Sequence, residues 1–392
     1  MTTAFRNLEG ETKLLADTID DICEEYDHEY WLEYAKDGAH PEEIWDELRA
    51  NGFTGINVPE AYGGVDMTMY DMAVTIERMA SKGILVGFLV ISSGMVPIPI
   101  RNAGSDELKA RFLPDIASGD IKVCFATTEA EAGTNTLQNK TMATRDGDEY
   151  VVNGEKAWIS DIDAADYVLL VTRTTPADEI PADADHRGFS LLLVDTETDG
   201  IDLTPMDTAI TSASSVFTVH FDDVRVPVEN RIGDENHGFK FLFDALNPER
   251  ITIAAECVGF GRFALDRAVE YVNERDVWGQ PLGAHQGVQH QLAEAKVQVE
   301  LAGLMAERAA RAFDAGEPNA GALADMANYA ASEAAHQAVE RSIQVHGGAG
   351  FSRDYGVINV RDIVQHLKVA PINNEMLLNS IGERILGLPK SY

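Results

Sequence analysis

Disulfides are the first thing this sequence does without. Its three cysteines, Cys23, Cys124 and Cys257, are odd in number and far apart. That spacing excludes both a disulfide framework and a zinc knuckle, and it fits a reducing cytoplasm. Positive charge is scarce as well. Lys and Arg total 31 against 65 Asp and Glu, with 11 Lys and 20 Arg, and the net charge is -34. Nucleic acids and anionic membranes are poor partners for such a surface. The acidic excess runs along the whole chain instead of forming a tail, which is the pattern expected of a surface adapted to high salt, where screening removes self-repulsion, with an acidic mesophilic protein as the alternative. No signal peptide opens the chain, because MTTAFRNLEGETK has neither a basic start nor an apolar core. Long apolar runs are missing but for one, Gly83 to Ile100, and two serines with Pro97 and Pro99 interrupt it. It reads as a buried helix leading into a loop, not a membrane span.

What is present is a globular chain of 392 residues, 45% hydrophobic, too long for one average core. Its most informative stretch is FATTEAEAGTNTLQNKTMATRDGDEYVVNGEKAWIS, Phe125 to Ser160. A polar, glycine-interrupted turn, Thr127 to Thr134, precedes two expected chain reversals at Asp146-Gly147 and Asn153-Gly154. Lys140 to Thr144, Tyr150 to Val152 and Lys156 to Ser160 read as strands, which puts the turn and Trp158 on one sheet. An aromatic wall, small hydroxyls and free backbone amides suit a planar, polar-rimmed ring such as a flavin. An ordinary β-domain with glycine turns would show the same signals.

TTEAEAGTN followed by NGEKAWIS resembles the flavin-binding middle of the acyl-CoA dehydrogenase family, whose usual pattern is a TEP-x-AG-SD turn and a later NG-x-K-x-WIT. Ala130, Thr134, Asn135 and Ser160 depart from that pattern and keep size or hydroxyl chemistry. GINVPEAYGG, residues 55 to 64, matches a recurrent loop of the family that shapes the acyl pocket. The resemblance implies an N-terminal all-α domain (1–120), a middle β-barrel or sandwich domain (121–232) and a C-terminal four-helix bundle (233–392). The periodicities agree. Helical spacing runs from Thr12 to Tyr34, Pro41 to Asn51, Met69 to Ser81 and Ser105 to Ala117, the last with Ser105 as N-cap and Gly119 past its end. Strand patterns cover Tyr167 to Thr172, Gly188 to Val194 and Val216 to Val226, with a Pro/Ala/Asp-rich loop at 174–188. Four long helical segments follow at 238–275, 285–315, 320–346 and 371–386.

The resemblance also implies the cofactor, FAD, and its contacts. Phe125, Thr127, Thr128, Gly133, Thr134, Trp158 and Ser160 would line the flavin: Trp158 flanking it, Ser160 near N5, Thr128 at the pyrimidine side. Thr134 would also touch the CoA moiety. Arg275 in ERDVWGQP corresponds to the arginine that meets the pyrophosphate, often across a subunit boundary, and Trp278, His285 and Gln286 continue that segment. Gln344, Gly347 and Gly348 in QVHGGAGF match the motif that approaches the adenine portion. Taken singly, Arg275 could be a surface charge and the two glycines a helix end.

The reaction implied is α,β-dehydrogenation of an acyl-CoA, which needs a carboxylate beside an apolar pocket to take the α-proton. Most members open an EGT motif with that glutamate; here the position falls on Ala370, followed by Pro371, and Glu375 sits on the next helix. Some members carry the base on the first long C-terminal helix, in an ER pair. NPERITIAA matches that segment, with Glu249 at the base position, Arg250 at the buried arginine and Asn247 beside the substrate. Pro248 should bend or restart the helix there. The bland alternative makes Glu249 an early-helix anion held by the helix dipole. By resemblance the protein is a homotetramer or dimer that passes electrons to an electron-transferring flavoprotein, and no metal takes part. An enoyl-CoA reductase or flavin monooxygenase of the same fold, and a non-catalytic relative, remain open at this point.

Overall fold

A computed structural model describes residue 5, residues 8–181, residue 184 and residues 186–390. The first third is helical: α1 (Gly10–Glu25), α2 (His28–Asp37), α3 (Glu42–Ala50) and α4 (Met69–Ser81), then α5 (Pro97–Ala103) and α6 (Asp106–Ser118). The caps explain the boundaries. Asp27 accepts from the amides of Glu29 and Tyr30, so the Thr12–Tyr34 periodicity is cut into two helices. Thr68 and Asp71 form a capping box at α4, and Ser105 accepts from Leu108 N while Gly119 takes the left-handed conformation that ends α6.

The apolar run differs in order from expectation. Residues 83–86 form the loop, and a π-helix (Leu89–Met95) then leads directly into α5. Pro97 does not break the helix because it occupies the first turn of α5, where an amide hydrogen has no intrahelical partner.

The middle third is one eight-stranded sheet in the order β6-β7-β3-β2-β4-β5-β8, with β1 (Val123–Ala126) also parallel to β4 (Tyr167–Arg173). The remaining strands are β2 (Met142–Asp146), β3 (Glu149–Ser160), β5 (Phe189–Asp195), β6 (Ile201–Pro205), β7 (Val216–Pro227) and β8 (Arg231–Ile232). Asp146-Gly147 is the β2–β3 reversal, with Gly147 at φ +67°. Asn153-Gly154 is not a reversal. The chain passes through it within β3 as a bulge, where the register against β7 slips between Val152 and Gly154. Gly154 sits at φ +146° because Thr141 crosses so close that a Cβ would lie 2.7 Å from its Cα. Asn153 binds Asp223 across the sheet instead of turning the chain.

The last third is built on α7 (Gly238–Glu274), α8 (Gln286–Asp314) and α9 (Ala320–His346), followed by α10 (Arg361–His366) and α11 (Asn374–Ser380). Alanines along α8 and α9 let these helices approach closely, and α4 packs against α7 and α8. Arg262 of α7, 1% exposed, ties the layers by pairing with Glu77 of α4 and Glu300 of α8. The expected segment 371–386 is α11 plus a π-turn (Ile381–Ile385), packed on α9.

Candidate active site

The polar turn after β1 is fastened from inside. Lys156, fully buried on β3, donates to Thr127 O at 2.9 Å and to Glu129 Oε1 at 3.0 Å. Glu129 also accepts the amides of Lys140 at 2.7 Å and Thr141 at 2.9 Å. Burial pulls Lys156 down to about 8 against the attraction of Glu129. The same burial raises Glu129, but Lys156 and the two amides outweigh it and hold the carboxyl below its usual range. Both groups are therefore charged at neutral pH. Thr128 O accepts from Ala157 N at 2.9 Å, which sets the turn edge-on to β3.

Burying Lys156 and Ala157 in succession breaks the strand's alternation, and the register slips again between Lys156 and Ile159. Trp158 takes up the slack at φ +62° and stands 59% exposed, re-aimed as bulged residues are. Ser160 is exposed beside it, whereas Phe125, Thr127 and Thr128 are half-buried. Gly133 and Thr134 are exposed on the turn, where a Cβ at Gly133 would meet nothing. Thr127 Oγ1 is buried without a partner. Thr134 Oγ1 accepts from Asn373 Nδ2 at 3.0 Å, so the chain just after Ala370 and Pro371 closes on this turn. No carboxylate comes with it: Ala370 is half-buried and Glu375 is exposed.

Glu249 has the surroundings that a base needs. It is 6% exposed, its Oε2 has no hydrogen-bond partner, and burial pushes it up to about 7 against the opposing pull of Arg250. It lies well past the first turn of α7, beyond reach of the amides at that helix start, which removes the early-helix reading. The helix neither ends nor restarts at Pro248; neighbouring turns carry it through, and the Thr252 hydroxyl bonds Pro248 O and Glu249 O at 3.2 and 2.9 Å. Arg250 bonds Asn247 Oδ1 at 3.1 Å and pairs with Asp325 Oδ1 at 3.5 Å. Ser380 of α11 in turn donates to Asp325 at 2.6 Å.

A second group gathers at the far end of α7. Arg275 opens a small hairpin, β9 (Asp276–Val277) and β10 (Gln280–Pro281), whose Trp278 is 90% exposed with its ring edge-on to His285. Gln286 is exposed at the start of α8. Gln344, Gly347 and Gly348 are exposed at the end of α9, next to His346, whose ring stacks on Tyr271 of α7 at 4.4 Å. Among the described residues no hydrogen bond or ring contact joins this second group to Trp158 or to the Thr127–Thr134 turn.

The sequence matches three domains in succession: the acyl-CoA dehydrogenase N-terminal domain over residues 9–120, the middle domain over 124–224 and the C-terminal domain over 236–386. The chain belongs to the acyl-CoA dehydrogenase family. Among its relatives, acyl-CoA dehydrogenase FadE12 of Mycobacterium tuberculosis is 41% identical over 368 residues, 94% of either chain. The short/branched chain specific mitochondrial enzyme of Rattus norvegicus is 33% identical over 312 residues, 79% of this chain and 70% of that one. Among solved structures, butyryl-CoA dehydrogenase from Megasphaera elsdenii superposes with a TM-score of 0.91 at 28% identity, over 97% of this chain and 99% of that one. A chain solved in work on the electron transferring flavoprotein of Acidaminococcus fermentans gives 0.90 at 26% identity, with the same two coverages.

Within this acyl-CoA dehydrogenase, two features escaped the sequence reading. The Lys156–Glu129 pair had no clear signal, since Lys156 stands between Glu155 and Ala157 in a run that reads only as a strand. Asp161 had none: at φ +59° it is 7% exposed, and burial raises its carboxyl to about 7 against hydrogen bonds from Ser214 and Ser215.

Proposed function

We propose that this chain is an FAD-dependent dehydrogenase that converts an acyl-CoA thioester to its trans-2-enoyl-CoA and delivers the electrons to an electron-transferring flavoprotein. The residues fit the cofactor. A partnerless Thr127 hydroxyl, an exposed Trp158 on a bulge and an open Gly133 together offer hydrogen bonds and an aromatic wall without filling the space between them. FAD bound there supplies the two-electron acceptor for the hydrogen leaving the β-carbon. Phe125, Thr128, Trp158 and Ser160 hold the ring, and Thr134 meets the CoA.

Glu249 takes the α-proton. Its buried, partnerless oxygen is the observation that carries the proposal, because a carboxyl raised to about 7 is strong enough to abstract that proton and still ionises near neutrality. Arg250 and Asn247 fix the helix turn that presents it and border the thioester.

The second group serves the far half of the cofactor in another copy of the chain. Arg275 would meet the pyrophosphate, Trp278 and Gln286 would flank it, and Gln344, Gly347 and Gly348 would bring backbone to the adenosine. An apolar stripe on α8 supports such an assembly. Val297, Leu301 and Leu304 repeat at helical spacing and are 55%, 56% and 53% exposed.

The reaction is tested by titrating the purified flavoprotein anaerobically with short, branched, long and cyclic acyl-CoAs. At least one thioester should bleach the flavin band, and electron-transferring flavoprotein should restore it. A flavin that ignores every thioester, or that is restored only by rapid consumption of oxygen, contradicts the proposal.

A further inference from the structure

Two turns of α7 beyond Glu249 stands a second carboxyl that the fold does not account for. Glu256 is 1% exposed with its Oε1 sealed from solvent, and among the described residues neither a hydrogen bond nor a cation reaches it. Other buried acids of the bundle are matched: Glu77 by Arg262, and Asp325 by Arg250. Burial alone raises Glu256 to about 8, so at neutral pH it is mostly the protonated acid, able to donate and to accept.

Its position relates it to the site. Seven residues make nearly two full turns, so Glu249 and Glu256 project from one side of α7 and are separated by about 10 Å along the axis. Thr252 lies between them and meets the π-helix, since a Cβ on Gly94 would stand 3.6 Å from Thr252 Cγ2. Beside Gly94 the Ser93 hydroxyl is buried without a partner. Farther along the same side of α7, Phe263 closes the row against His28, with ring centroids 4.9 Å apart.

Three orphan polar groups thus belong to two elements in contact: Glu249 Oε2 and Glu256 Oε1 on α7, and Ser93 Oγ on the π-helix. Native interiors leave few such groups unmatched, and π-helical turns concentrate where ligands bind. Resting on the dehydrogenase reading of Glu249, we infer that Glu256 determines specificity by selecting an acyl chain that carries a hydroxyl roughly 10 Å beyond the α-carbon. A hydroxyl both donates and accepts, as a protonated carboxyl does. A plain methyl end would leave the carboxyl unmatched, and an anionic end would find no positive charge there.

The test pairs saturated acyl-CoAs with their ω-hydroxy counterparts, from about six to about twelve carbons to bracket that distance. Wild type, Glu256→Leu and Glu256→Gln are compared by kcat/KM and by calorimetric binding of the same pairs. Wild type should favour the hydroxyacyl thioester about tenfold or more at one chain length. Glu256→Leu should abolish or reverse that preference, and Glu256→Gln should keep part of it, with flavin content unchanged. A wild type that favours the plain thioester at every length, or a Leu variant with the wild-type preference, overturns the inference. If no thioester reduces the flavin, the dehydrogenase reading is what fails, and the binding preference still decides for Glu256. If Glu256→Leu does not fold, the wild-type and Gln preferences decide.

Discussion

In the proposed role of base, Glu249 acts only when ionised, so its raised pKa has a visible consequence. The folded-state value is about 7, above the ordinary glutamate range, so the reactive carboxylate is lost as pH falls through 7. Flavin reduction by a good acyl-CoA, followed by stopped flow, should fall about tenfold per pH unit below that point and level off above it. A flat profile from pH 6 to 8 would mean that another group takes the proton. At this scale the sequence was partly legible. NPER singled out Glu249 as the candidate base because the position expected for the usual base is Ala370, and the structure buries Glu249 with its Oε2 unpartnered, as the proposed role requires. The surroundings of Lys156 on β3, and of Asp161 just past its end, were not legible, because a lone charged residue shows nothing of what crosses it; their partners Thr127, Glu129 and Ser215 are distant in sequence.

Among the elements, those that carry their own stop signals were readable. Met69–Ser81 was read to the residue from its helical spacing, and the structure caps it with Thr68 and Asp71; the Ser105 to Gly119 helix was read from its own cap and closing glycine. Asn153-Gly154 misled for a physical reason: a positive-φ glycine serves a bulge as well as a hairpin, and only the crossing of Thr141 decides between them. Gly154→Ala should therefore cost about 2 kcal/mol or more, since a Cβ would meet both an unfavourable φ and the Thr141 backbone. Thermal melting of the holoprotein should show the drop; an unchanged midpoint would mean that β3 and β2 can part without cost. Pro248 likewise looked like a helix break, but its turn lies inside a helix of 37 residues packed against α4 and α9.

For the whole molecule, charge and assembly set the expectations. A net charge of -34 on one chain repels itself, and molar salt screens that repulsion within about 3 Å. The melting temperature should rise steadily from low salt to molar KCl; a protein equally stable at both ends would show that the acidic surface is not an adaptation to salt. The apolar stripe on α8 is expected to be covered by a second copy. Leu301→Glu should lower the mass seen in sedimentation and weaken FAD retention together, if Arg275 and Gln344 serve the neighbouring copy as proposed. Loss of assembly with full flavin content would place those residues outside the cofactor site. Domain order and fold were readable from motif order along nearly the whole chain. A homotetramer or dimer was implied only by the resemblance, because the exposed Trp278 and α8 side chains look alike in sequence whether water or protein covers them.

The most direct measurement is the anaerobic reduction of the flavin in Glu249→Gln, set against wild type with the same acyl-CoA. Glutamine keeps the size and the buried position but cannot take a proton. The account predicts that the variant binds the thioester, shifting the flavin spectrum, while the bleaching rate falls by about a hundredfold or more. Equal bleaching in both proteins would contradict it and send the search for the base elsewhere in the pocket.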